Sequence, residues 1–202
     1  MNKRNNLENR SFADDDVFHR AIGFAMEAHR GQIRKDGVPY ILHPFEDAAI
    51  VSTMTHDPEV LAAAVLHDTV EDTEATPEII KALFGDRVYK LVMHETENKR
   101  PDLPSADTWR VRKEESLAAL AASNDPAVKM LWLGDKLSNM RAFYRLYLAE
   151  REKMFDRLNN HDPRDHAWYY GTILELLSEL KAHPAYAEYE RLYREIFDRY
   201  HS

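Results

Sequence analysis

Apolar positions recur three and four residues apart along most of this chain, and nowhere does apolar and polar character alternate long enough to build a strand. The spacing predicts a helix over about Asp16 to Arg30, with Val17, Ala21, Phe24, Ala25 and Ala28 on one face. Gly31, Gly37 and Pro39 break the stretch that follows. A second helix is predicted from His43-Pro44 to about His56, carrying Phe45, Ala48, Ala49, Val51 and Met54. A third starts at Asp57-Pro58-Glu59, contains the apolar run from Leu61 to Leu66, and continues across His67-Asp68 to Glu71-Asp72. Thr76-Pro77-Glu78 opens a fourth that stops at Gly85, with another turn or two from Asp86 to Met93. The stretch from Glu95 to Asp107 holds Pro101 and Pro104, has no apolar period, and is predicted to be a flexible loop. Helices are then predicted over Trp109 to Ala122 and from Asp125-Pro126 to about Tyr147. A short piece over Lys153 to Leu158, a helix from Asp162-Pro163 to about Ala182, and one over Tyr186 to Tyr200 complete the pattern.

Six of the nine prolines stand just behind a capping or terminal residue, where the first turn of a helix tolerates them. The expected fold is therefore an all-α bundle with little or no strand. It is expected to be one domain over residues 1–202, with helices of 150–202 packing on the core and a polar, flexible lead over 1–15. Composition agrees: only 6 glycines in 202 residues, with 44% hydrophobic and 31% charged residues. There is no cysteine, which excludes disulfides, thiol nucleophiles and Cys-ligated zinc. The formal charge of −8 weighs against a non-specific nucleic-acid binder, though locally clustered cations could still hold a small anion. No apolar run approaches a membrane span and Met1 to Arg10 lacks a signal-peptide core, so a cytoplasmic location is expected.

The chemistry concentrates in His67-Asp68-Thr69-Val70-Glu71-Asp72. An apolar run that ends in four ionisable groups is costly to bury unless something pairs them. On one continuous helix His67 would share a face with Glu71, and Asp68 with Asp72. His-Asp could then hold a divalent ion while Glu-Asp manages a water. Two further ligands are available in His43, at a helix start, and Asp135, an acid on the apolar face of Leu131 to Arg141. Gly134, just before it, would admit a close backbone. Two imidazoles and two carboxylates suit manganese, iron, zinc or nickel. Taken singly, each of these residues reads better as a structural histidine, a cap or a solvated acid. Together they have few structural uses.

The longer strings carry a resemblance. His43, His67-Asp68 and Asp135 are laid out as in the HD-domain metal phosphohydrolases. Ala28 to Pro44, His67 to Thr73 and Gly134 to Arg141 resemble three signatures of the hydrolase domain of the RelA/SpoT family, in order and correctly spaced. A synthetase domain has no room here, so the chain resembles the small hydrolase-only members. The resemblance implies an HD-type helical bundle that hydrolyses the 3′-pyrophosphate of guanosine tetra- or pentaphosphate, with one divalent ion, typically manganese. It implies His43, His67, Asp68 and Asp135 as metal ligands and Glu71 and Asp72 as the catalytic acids. Arg34 and Lys35 would line the nucleotide site, Asn139 would contact the nucleoside, and Lys136 and Arg141 are further candidates for phosphate.

The chain also departs from the family. Asp36 and Ala142 stand where bifunctional members often carry small hydroxyl residues, and Met93 to Arg100 differs from the usual string. Adenosine alarmones and other 3′-phosphorylated nucleotides, including a dinucleotide cofactor phosphate, therefore stay open; a non-cleaving nucleotide-binding module is a separate alternative, against which the intact Glu71 and Asp72 speak. The expected partner is a small-molecule nucleotide, with neither nucleic acid nor membrane. A homo-oligomer is neither required nor excluded. His166 to Tyr170 is expected either to wall the pocket or to pack as core.

Overall fold

The structure, a computed structural model, describes residues 16–35, 37–100 and 102–200. The expected flexible lead over 1–15, and Asp36, fall outside the described residues. Nine α-helices follow one another among those described: α1 Val17–Ala28, α2 Leu42–Val51, α3 Pro58–Leu66, α4 Thr69–Asp72, α5 Pro77–Glu95, α6 Ser105–Ala122, α7 Pro126–Glu150, α8 Pro163–Leu176 and α9 Pro184–Phe197. Short 3-10 turns follow α7, α8 and α9. Among the described residues there is no strand, only an isolated bridge between Ile33 and Pro39 that closes the loop before α2. None of the described helices is long and apolar enough to cross a membrane.

The helix starts follow the predicted chemistry. Proline opens α3, α5, α7, α8 and α9, and in each the preceding side chain (Asp57, Thr76, Asp125, Asp162 or His183) accepts a backbone N–H of the first turn. Gly85, predicted to stop a helix, adopts φ 88° inside α5, and the helix resumes beyond it. Pro104 sits at the start of α6, so Ser105 to Asp107, predicted as loop, are helical.

One correction bears on the site. The segment from Pro58 to Asp72 is not a single helix. α3 ends at Leu66, His67 and Asp68 form the turn, and α4 is one short turn of helix after it. Asp72 N–H still donates to Asp68 C=O at 2.9 Å, but the helix is interrupted at the His-Asp pair. Thr69 is fully buried, and its hydroxyl donates to Leu66 C=O at 2.6 Å, which closes the turn.

α7 runs through the centre and packs against α2, α3, α5 and α9. Leu131, Trp132, Leu133, Leu137 and Met140 on it are all but fully buried. Gly134 faces α2 so closely that a Cβ there would lie 2.1 Å from Asp47 Oδ1 and 2.7 Å from Val51 Cγ2. That contact bears out the close approach expected at Gly134. It lets α2 and α7 bring His43 and Asp135 together. α8 and α9 pack on each other, and α9 also packs on α7.

Candidate active site

The turn between α3 and α4 points His67 and Asp68 at the same point as His43 of α2 and Asp135 of α7. His43 Nε2 lies 3.1 Å from Asp135 Oδ1 and 3.4 Å from Asp68 Oδ2. His67 Nε2 lies 3.0 Å from Asp68 Oδ2, 3.7 Å from Asp135 Oδ1 and 3.3 Å from His43 Nε2. One donor atom each from His43, His67 and Asp135 fits within 4.8 Å of the others. Asp68 closes in on both imidazoles with an oxygen that also accepts the Tyr40 hydroxyl at 2.6 Å.

The far nitrogens orient these rings. His67 Nδ1 is 2.8 Å from Ala64 C=O, which can only accept, so Nδ1 carries a proton. His43 Nδ1 is 2.8 Å from the Ser138 hydroxyl, which donates onward to Glu46 at 2.7 Å and so accepts from the imidazole. Both Nε2 atoms are thereby aimed at the carboxylates, the disposition of ligating histidines with outer partners.

Two imidazoles beside two carboxylates are a donor set that a divalent first-row cation fits. Burial disfavours the cationic form of His67, but Asp68, Asp47 and Asp135 outweigh it and raise its pKa well above the usual range. Burial opposes ionisation of Asp68 too, yet the His67 and His43 rings hold its carboxyl well below the ordinary range.

Beside the cluster lies a cavity of about 450 Å³. Glu71 and Asp72 line it. Glu71 accepts Glu97 N–H at 3.0 Å, and Lys99 Nζ is 3.5 Å away. Burial, helped by the charge of Asp68, pushes the Glu71 carboxyl up to about 7. Asp72 accepts the Tyr40 hydroxyl at 2.6 Å and pairs with Lys99. Arg34, Lys35, Lys136 and Asn139 also line the cavity. Arg34 donates to Asn139 Oδ1 at 2.9 Å, and Asn139 Nδ2 donates to Asp135 Oδ1 at 2.6 Å. Lys35 reaches Asn159 Oδ1 at 2.9 Å. Lys136 is committed to Asp135 and lies 3.7 Å from Glu95.

Arg141 is a correction. It does not line the cavity. Its guanidinium is held bidentately by Glu188 of α9, at 2.7 Å on each arm, and reaches Glu46 at 3.1 Å, so it ties α7 to α9 and α2. The aromatic stretch divides. His166, Tyr169 and Tyr170 are buried and also wall the cavity, whereas Trp168 turns away and carries the Arg110 guanidinium over its ring at 3.3 Å. Ala142 is on the wall as well.

Three residues near the cluster were assigned no role from sequence. Tyr40 lay inside a motif string, and only the fold shows its hydroxyl shared by Asp68 and Asp72. Glu95 lines the cavity with no hydrogen-bond partner for either oxygen. Burial pushes its carboxyl up to about 8. Asp47 is fully buried on α2. A signal for both existed: Glu95 follows Val88, Leu91 and Val92 at helical spacing, and Asp47 lies on the face of His43, Ile50 and Val51. An acid on an apolar face calls for a partner.

Residues 21–160 match the HD domain family, and the chain belongs to it. It is 40% identical over 135 residues to the guanosine-3′,5′-bis(diphosphate) 3′-pyrophosphohydrolase of Aquifex aeolicus (strain VF5), covering 67% of this chain and 19% of that protein. It is 42% identical over 125 residues to a GTP pyrophosphokinase of Brucella melitensis biotype 1, covering 62% of this chain and 16% of that protein. The chain thus spans a fifth or less of the length of these curated relatives. Among solved structures it is similar to a metazoan ortholog of SpoT described as hydrolysing ppGpp, with TM-score 0.67, 28% identity, and coverage of 92% of this chain and 96% of that one. A structure from Listeria monocytogenes EGD-e matches with TM-score 0.66 and 31% identity over 77% of this chain and 99% of that one.

Proposed function

We propose that this chain is a metal-dependent hydrolase that removes the 3′-pyrophosphate of guanosine tetra- or pentaphosphate, giving GDP or GTP and pyrophosphate. The observation that carries the reading is the convergence of His43, His67, Asp68 and Asp135 at a cavity lined by both acidic and cationic side chains. The likeness to a relative named for this reaction supports it.

His43, His67, Asp68 and Asp135 would hold one divalent ion, manganese in this reading. When bound, the ion polarises a phosphoryl oxygen and lowers the pKa of a water. Glu71 accepts the proton of the attacking water, since a carboxyl near 7 exchanges protons readily at neutral pH. Asp72, fixed by Tyr40 and Lys99, orients that water. Water adds to phosphorus, the bond from phosphorus to the ribose 3′ oxygen breaks, and that oxygen leaves with a proton. Arg34 and Lys35 supply the local positive charge that a chain of net −8 needs to hold a polyanion. Tyr169, Tyr170 and His166 offer aromatic surface to a base.

The test is a product analysis. Manganese-loaded protein is incubated with guanosine and adenosine tetraphosphate alarmones, NADPH and 5′-only nucleotides. Pyrophosphate released from the guanosine alarmone, with the 5′ nucleotides untouched, is the expected result. Release only from the adenosine compound, or phosphate only from NADPH, overturns the substrate. Binding without turnover under any divalent metal overturns the enzyme reading.

A further inference from the structure

Asp47 is a fully buried acid that takes no part in the chemistry proposed for the site. It has no exposure to solvent, and neither carboxylate oxygen makes a hydrogen bond that meets ordinary geometry. It stands on α2 one helical turn beyond His43. Across α3, its Oδ2 is 3.3 Å from His67 Nδ1, the nitrogen that also faces Ala64 C=O. Across α7, its Oδ1 occupies the space that a side chain at Gly134 would need. Three helices are thus shaped around a carboxylate that a Val or Leu could replace at lower cost, because a buried acid with no partner is expensive. Among the described residues, its ion-pair partner is the back of the His67 ring.

We propose that Asp47 is a positioning residue for the metal centre: a carboxylate behind His67 that holds the ring with Nε2 toward Asp68 and Asp135 and strengthens that nitrogen as a ligand. The proposal rests on the reading that the His-Asp cluster holds a divalent cation. Its physical basis is general. The partner of the far imidazole nitrogen fixes tautomer and ring orientation and raises ligand basicity. Here Ala64 C=O supplies the in-line acceptor, and Asp47 Oδ2 is a second acceptor 3.3 Å from the same nitrogen. Gly134 is the complementary feature, an absent side chain on α7 that leaves room for the acid.

The experiment measures manganese binding directly, without substrate, from the spin-resonance signal of free Mn²⁺, together with the melting temperature of the metal-free protein. Asp47→Val is expected to weaken manganese binding about 10–100-fold while leaving the metal-free melting temperature unchanged or higher. Asp47→Asn, which keeps the shape and one acceptor oxygen but not the second, is expected to fall between that variant and the natural protein. Unchanged affinity in both variants overturns the proposal. So does a melting temperature that falls in step with affinity, because that marks a packing role. If Asp47→Val does not fold, Asp47→Asn decides alone, and natural affinity in it overturns the proposal. Failure of the unsubstituted protein to bind any divalent ion overturns the metal-centre reading as well, whereas failure to cleave the alarmone leaves this measurement standing.

Discussion

The guanidinium of Arg34 donates to the side-chain oxygen of Asn139 at 2.9 Å, across 105 positions of chain. The other end of the Asn139 amide donates to Asp135 Oδ1 at 2.6 Å. One side chain therefore couples the loop before α2 to the acid that faces both histidines. Asn139→Ala removes both bonds, one to a cation and one to a carboxylate. A hydrogen bond to a charged group is worth about 1.5–3 kcal/mol, so loss of one such contribution to the transition state lowers kcat/KM for the alarmone about 10–100-fold. Steady-state kinetics checks this, and a change within twofold would remove Asn139 from the site.

Glu71 sets a pH dependence. Its carboxyl is raised to about 7 by burial and by Asp68, and as a base it works only when ionised. Turnover is therefore expected to rise with pH through about 7 and then level off. Glu71→Gln should lose that limb and about 10²–10⁴ in rate while keeping manganese, whereas Asp68→Ala should lose both metal and activity. A Glu71→Gln variant that kept the natural profile would transfer the base to another residue, Asp72 being nearest.

Glu95 makes a prediction about stability. Its folded pKa of about 8 lies above the ordinary 4.5. Between those two values the folded chain holds a proton that the unfolded chain has released, so stability falls as pH rises through this window. Glu95→Gln is expected to flatten that part of the curve relative to the natural protein and to be the more stable of the two at pH 8 and above. Denaturant melts of the metal-free proteins from pH 5 to 8.5 give the comparison. Parallel curves would mean that Glu95 is ionised throughout, held so by Lys136.

Much of the helical order could be read from local chemistry. Asp57-Pro58, Thr76-Pro77, Asp125-Pro126 and Asp162-Pro163 mark helix starts through bonds that involve only near neighbours, so the sequence states them directly. The break at His67-Asp68 was not legible. Its residues are compatible with helix, and the turn is closed by Thr69 bonding back to Leu66. Arg141 was misplaced for a related reason. The family resemblance of Gly134 to Arg141 suggested a phosphate contact, but Glu188 and Glu46, from two other helices, hold its guanidinium away from the cavity.

By itself, the sequence determined the all-α class, the starts of α3, α5, α7 and α8, and the identity of His43, His67, Asp68 and Asp135 as a group. These depend on local backbone preferences and on motif strings that carry their own spacing. Only the tertiary structure decided that the four converge, that Tyr40 bridges Asp68 and Asp72, and that Asp47 stands behind His67. Those relations depend on how closely α2 and α7 approach across Gly134 and on where the chain turns between α3 and α4. The first is set by packing among residues far apart in sequence, and the second by the buried Thr69 hydroxyl closing the turn onto Leu66, which helical spacing alone does not encode.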